Sequence, residues 1–159
     1  MYTSNKLLNK IREFEGCRLE AYKDAAGVWT IGYGHTRDVR KGDKITQYWA
    51  GEMLQRDIDG YEYHVMKLGV CKTQGQLDAL VSFAFNLGLY RLRYSTLLGL
   101  IKAGASEAEI RCEFMRWVYA DGKRLGGLIA RREWEADRYF DEDTPTIEEL
   151  EAQRKEEEA

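Results

Sequence analysis

Three cysteines, two histidines and one proline are all that this 159-residue chain carries of those types. Each scarcity excludes something. Cys17, Cys71 and Cys112 are odd in number, widely spaced and without a Cys-x-x-Cys pair. That argues against a disulfide framework and against a zinc knuckle, and leaves reduced, mostly buried thiols as the expectation. His35 and His64 cannot furnish a multi-histidine metal site, which also removes a zinc hydrolase from consideration. No apolar run approaches the roughly 20 residues needed to span a bilayer, so membrane insertion is not expected. Met1 to Lys6 has no apolar signal core and no small-residue cleavage site, so accumulation in the cytoplasm is expected.

Charge is present in both signs but unevenly. From Asp141 to Ala159, nine acids face only Arg154 and Lys155, so the tail carries −7 and the body +4 of the total −3. A mildly basic body suits a polyanionic partner, either a cell-wall polymer or a nucleic acid. Nucleic acid fails on motif, because no basic helix is interleaved with stacking aromatics and the acidic tail would oppose binding.

The hydrophobic pattern organises the chain. Ser4 can cap a first helix with apolar positions Leu7, Leu8, Ile11 and Phe14, ending near Glu15-Gly16. Lys23 to Gly27 reads as a turn and Val28 to Tyr33 as a strand, with Tyr22 on its partner; Arg40 to Asp43 is another turn. Thr46 caps a long helix running to Gly69, with a possible break at Gly60. Thr73 to Gln76 reads as a capping box ahead of the apolar run Leu77 to Leu87, the expected central core helix. Ser95 caps a short helix closed by Gly104, and Ser106 with Glu109 forms a second capping box. Asp121-Gly122 and Gly126-Gly127 read as a loop before a last helix carrying Trp134 and Tyr139. Trp29, Trp49, Trp117 and Trp134 are expected in the core. Thr146 and Glu149 can cap a final short helix after Pro145, but the segment lacks apolar periodicity and is expected to fray.

The fold class is α+β and mainly helical. A small β-hairpin lobe (15–45) is followed by a connecting helix (46–68). A helical lobe (70–140) includes helix 4–14, and a flexible acidic tail (141–159) ends the chain.

Chemistry concentrates in Glu15 to His35. Glu15 closes an apolar helix, where partial burial would favour the protonated carboxyl that a general acid needs. Asp24 lies in a polar turn, where it should stay ionised. Two carboxyls in unlike surroundings suit glycoside hydrolysis: one donates a proton, the other handles positive charge or activates water. Thr30 adds a hydroxyl on the neighbouring strand that can hold a water.

The arrangement itself is specific. Glu15, eight residues, Asp24, five residues, Thr30, then Ile31-Gly32-Tyr33-Gly34-His35 resembles the catalytic segment of phage-type lysozymes, glycoside hydrolase family 24. The resemblance continues through Ala79 to Gly88, Ser95 to Leu98, Phe114 to Trp117 and Gly127 to Glu133, covering roughly residues 4 to 140. It implies a lysozyme-like fold and hydrolysis of the β-1,4 link between N-acetylmuramic acid and N-acetylglucosamine. Glu15 would be the proton donor, with Asp24 and Thr30 placing water or stabilising the sugar cation. No metal or organic cofactor is implied. Whether Asp24 is base or nucleophile depends on the carboxyl separation, and the family leans towards inversion. Phe85, Asn86 and Thr96 match substrate-binding positions of the family, although Phe85 is equally a core residue; His35, at a glycine-flanked strand end, can orient the cleft backbone or contact the sugar, and suits a structural hydrogen-bonding role better. Arg131 and Arg132 match an arginine pair that supports the acidic site; Arg124 competes for that role. Two departures stand out: Gly126 replaces a common proline, and the acidic tail has no counterpart.

Peptidoglycan is thus the expected partner, a monomer the expected state, and bacterial lysis the expected outcome after a separate protein permeabilises the membrane. The alternative is a catalytically silent module of the same fold that holds glycan or protein.

Overall fold

Asn5–Glu15 forms α1, which buries Leu7, Leu8 and Ile11 at helical spacing. It stops where Gly16 adopts φ 65° and its N–H reaches back to the Arg12 carbonyl, the left-handed ending that glycine allows. The computed structural model describes residues 2–159. The chain divides into two compact units, Asn5–Gly60 and Tyr61–Ala159, the latter including residues 2–4. This division places α1 with the hairpin.

In the first unit, β1 (Arg18–Lys23) and β2 (Trp29–Gly32) pair antiparallel, with Tyr22 opposite Thr30 and an irregularity between Arg18 and Tyr22. Residues 43–45 run along the other edge of β1: the Ala21 N–H donates to the Asp43 carbonyl and the Ile45 N–H to the Leu19 carbonyl. The Arg40–Asp43 turn delivers that segment, closed by the Arg40 N–H on the Asp43 carboxylate at 2.8 Å. Helix α2 (Gln47–Met66) follows, with the Thr46 hydroxyl accepting from the Trp49 N–H. It runs through Gly60 without a break, and the boundary between the units falls there.

The second unit is helical: α3 (Gln74–Leu87), α4 (Leu89–Arg93), α5 (Thr96–Ala103), α6 (Glu107–Phe114), α7 (Gly126–Tyr139) and α8 (Ile147–Glu158). Leu77 to Ala84 of α3 are all buried, as its apolar sequence requires, and α7 packs along it. Gly75 makes the closest approach, because a Cβ there would stand 2.4 Å from the Arg138 carbonyl oxygen. Thr73 caps α3, but Gln76 does not complete the box; its side chain accepts from the Lys72 N–H instead. Ser106 and Glu109 do form the reciprocal box.

Several features differ from the sequence reading. Helix α4 had no foreseen counterpart. A two-residue hairpin, β3 (Tyr119–Ala120) with β4 (Lys123–Arg124), turns at Asp121-Gly122, whose φ values of 50° and 74° suit that dipeptide. Gly126 and Gly127 open α7 rather than extend the loop. The tail forms α8 behind a capping box of Thr146 and Glu149. Ile147 anchors it, buried and bonded through its N–H to the Lys72 carbonyl. Cys112 is exposed and Cys17 and Cys71 half-buried, so the thiols are less covered than the sequence suggests. Trp49 is also exposed, edge-on to Tyr48 at 5.7 Å, and the other tryptophans are only half-buried. No helix among the described residues is long and apolar enough to cross a membrane.

Candidate active site

The unit Asn5–Gly60 holds Glu15, Asp24, Thr30 and His35 together. Their placement follows from one tight turn. Ile31 and His35 exchange both backbone hydrogen bonds at 2.9 Å, which forces the chain to reverse over Gly32-Tyr33-Gly34. Gly32 and Gly34 adopt φ 63° and 76°, a region closed to most side-chain-bearing residues. Gly34 has a second reason to be glycine. A Cβ on it would lie 2.9 Å from Glu15 Oε2, so the carboxylate at the end of α1 sits directly against this turn.

Neighbouring contacts fix the turn. Gln47 donates to the Tyr33 hydroxyl at 2.8 Å, and the Arg12 guanidinium stands 5.9 Å from the Tyr33 ring centroid. His35 uses both ring nitrogens. Nε2 lies 2.9 Å from the Arg37 carbonyl, which can only accept, so Nε2 carries the proton there. Nδ1 faces Asp57 Oδ2 at 2.7 Å, tying the turn to α2.

Asp24 closes the hairpin loop through its own side chain. Oδ1 accepts from the Ala26 and Val28 N–H groups, both at 2.9 Å, while the Asp24 N–H donates to the Val28 carbonyl. Oδ2 has no hydrogen-bond partner among the described residues. Thr30 is buried on β2, and its hydroxyl donates to the Val28 carbonyl at 2.9 Å. The hydroxyl proton is thereby committed, and its lone pairs are what it can offer to a water.

The remaining predicted residues belong to the Tyr61–Ala159 unit. Phe85 is half-buried with its ring 5.5 Å from Tyr61, Asn86 is half-buried, and Thr96 is exposed at the start of α5. Arg124 is exposed on β4. Arg131 and Arg132, by contrast, are buried on α7. Both pair with Glu135, which is fully buried, at 3.6 Å and 2.7 Å. Burial pushes the Glu135 carboxyl up from its ordinary range, and the two arginines and the Ser82 hydroxyl pull it back. Burial likewise lowers the Arg132 guanidinium, against the pull of Glu135. Arg132 Nη2 donates to Asn86 Oδ1 at 2.8 Å, so the amide oxygen is taken and its NH2 is the end left to present.

A second buried network was not foreseen. Arg138 reaches Asp78 Oδ2 through Nε and Nη2 at 3.0 and 2.8 Å, and the Ser4 N–H and hydroxyl donate to the same carboxylate. In sequence, acids three or four positions from an arginine on one helix look solvated. The one sequence signal is that Asp78 stands among apolar residues of α3, which marks its position as covered without naming its partner.

A family model described as phage lysozyme matches residues 12–135. The chain is 42% identical over 140 residues to an endolysin of Acyrthosiphon pisum secondary endosymbiont phage 1, covering 85% of this chain and 95% of that one. It is also 42% identical over 139 residues to an endolysin of Bacillus phage B103, but spans only 52% of that protein's length. Among solved structures, the muramidase domain of SpmX from Asticaccaulis excentricus superposes with a TM-score of 0.77 at 33% identity, covering 86% of this chain and 96% of that one.

Proposed function

The chain belongs to the phage lysozyme family, and from that membership we propose that it cuts the β-1,4 link between N-acetylmuramic acid and N-acetylglucosamine with Glu15 as proton donor. The observation that carries the assignment is the Glu15 carboxylate held against the Gly34 turn, in the unit that also positions Asp24 and Thr30. A carboxyl with a tight backbone turn packed against one side can offer its proton to a leaving oxygen with little reorganisation.

The chemistry then divides among three side chains. Glu15 protonates the departing glycosidic oxygen as the C1–O bond breaks and positive charge grows on the sugar ring. Asp24, anchored through Oδ1, keeps Oδ2 for that charge and for the attacking water. Thr30 accepts a hydrogen bond from the same water through its hydroxyl lone pairs. The water adds its oxygen to C1 and passes its proton to Asp24, the inverting course towards which the family leans.

Other residues position rather than react. His35 and Asp57 hold the turn under Glu15. Arg132 orients the Asn86 amide so that its NH2 can donate to an N-acetyl or hydroxyl oxygen of the glycan, with Phe85 and Thr96 as further contacts. Arg131 and Glu135 keep the Arg132 guanidinium in place. The enzyme works as a monomer on the cell wall and reaches it once a separate protein has permeabilised the membrane.

The test is clearing of a peptidoglycan suspension with release of new reducing ends. The parent should clear and release them, and Glu15→Gln, which preserves shape, should do neither. A folded parent that binds the wall without releasing reducing ends would make the chain a binding module.

A further inference from the structure

Three of the large hydrophobic side chains that this protein exposes gather in one region of the Tyr61–Ala159 unit. Tyr90 and Tyr94 are 76% and 70% exposed, with ring centroids 4.7 Å apart, and Tyr63 is 56% exposed. Tyr90 and Tyr94 line an open groove of about 410 Å³ together with His64, Lys67 and Arg93, while Leu68 and Leu89 add apolar wall. No acid lines it. Lys67 stands 4.4 Å from the Tyr63 ring centroid, and neither Lys67 nor Arg93 has an ion-pair partner among the described residues.

Exposed, paired aromatic rings cost solubility and gain nothing for the fold, and rimmed by charged side chains they mark a surface kept for a ligand. The two halves of the surface select its chemistry. Tyrosine faces suit the C–H faces of pyranose rings, and an unpaired guanidinium and ammonium suit carboxylates. A polymer that alternates amino sugars with lactyl and peptide carboxylates satisfies both at once.

We propose that this groove is a second, non-catalytic binding site for the uncut, carboxylate-bearing peptidoglycan strand. The proposal rests on the lysozyme reading above. Its function is retention. A second hold on the same polymer converts each re-encounter of the catalytic residues with the strand into a local event, raising effective concentration without a new catalytic group. A short fragment that can fill only one site gains nothing from it.

The experiment uses the full chain in two groove variants, Tyr90→Ser/Tyr94→Ser and Lys67→Ala/Arg93→Ala, whose side chains are exposed and dispensable to the core. Binding to insoluble peptidoglycan is measured by sedimentation in the Glu15→Gln background, and turnover of a soluble tetrasaccharide in the active background. Each variant should bind peptidoglycan about tenfold more weakly while cleaving the tetrasaccharide at the parental rate. Parental binding by both variants would overturn the proposal. So would weakening by the charge variant alone, which would make the groove a general anion patch. Failure of the parent to cleave either substrate would instead strike the lysozyme reading, and the sedimentation result would still decide the groove.

Discussion

Replacing Gly34 by alanine puts the relation between the Gly32-Tyr33-Gly34 turn and Glu15 under direct strain. The added Cβ would stand 2.9 Å from Glu15 Oε2, whereas ordinary contacts begin near 3.4 Å, so the carboxylate must retreat by about half an ångström. Alanine must also hold φ near 76°, which costs roughly 1–2 kcal/mol for a residue with a Cβ. For a chain of this length that cost corresponds to a fall in Tm of about 2–8 °C. Displacement of the acid by a fraction of an ångström should lower kcat/KM for peptidoglycan by about 10–100-fold. Gly42→Ala separates the two effects. Gly42 has φ 87° in the same unit but nothing within 4 Å of an added Cβ, so it should show the thermal loss and keep parental activity. Reducing-end release per folded molecule, with melting followed by circular dichroism, measures both. Parental activity in Gly34→Ala, or an equal activity loss in Gly42→Ala, would refute the contact as the cause.

Two further outcomes follow from the buried groups. Asp78→Ala strips Arg138 of its buried partner and leaves the Ser4 donors unanswered, so unfolding free energy should drop by about 3 kcal/mol, read from a urea titration; a loss under about 1 kcal/mol would mean the network is incidental. Burial pushes the Cys71 thiol up to about 12, whereas Cys112 is exposed, so iodoacetamide at pH 8 should alkylate Cys112 and spare Cys71 until the protein unfolds, as peptide mass mapping would show.

What could be read from the sequence was whatever depends on local rules. The Gly16 stop of α1, the Ser95 and Ser106 caps and the apolar identity of α3 are decided by residues within one turn of each other. The Gly32-x-Gly34-His35 spacing is likewise a local signal, although its purpose, close approach to Glu15, depends on where α1 returns. Long-range partners were out of reach. Nothing in the order of residues couples His35 to Asp57 or Arg138 to Asp78, and a helix rich in arginine and glutamate looks solvated until another helix covers it. Gln76 illustrates a near miss: a capping-box glutamine is ambiguous between the cap residue and the one before it, and here the Lys72 N–H wins. The tail helix is hidden from the sequence for a related reason. Helix α8 has no apolar stripe to reveal it, and its anchors, Ile147 and the backbone bonds to residues 72–74, come from elsewhere in the chain.

The assignment of Glu15 as proton donor is tested most directly by changing the leaving group. An oligosaccharide ending in an acidic phenol departs without protonation, whereas the natural sugar does not. Glu15→Gln should lose about 10²–10⁴-fold on peptidoglycan and recover most of that loss on the aryl glycoside. Equal loss on both substrates would contradict the role of Glu15 as the acid.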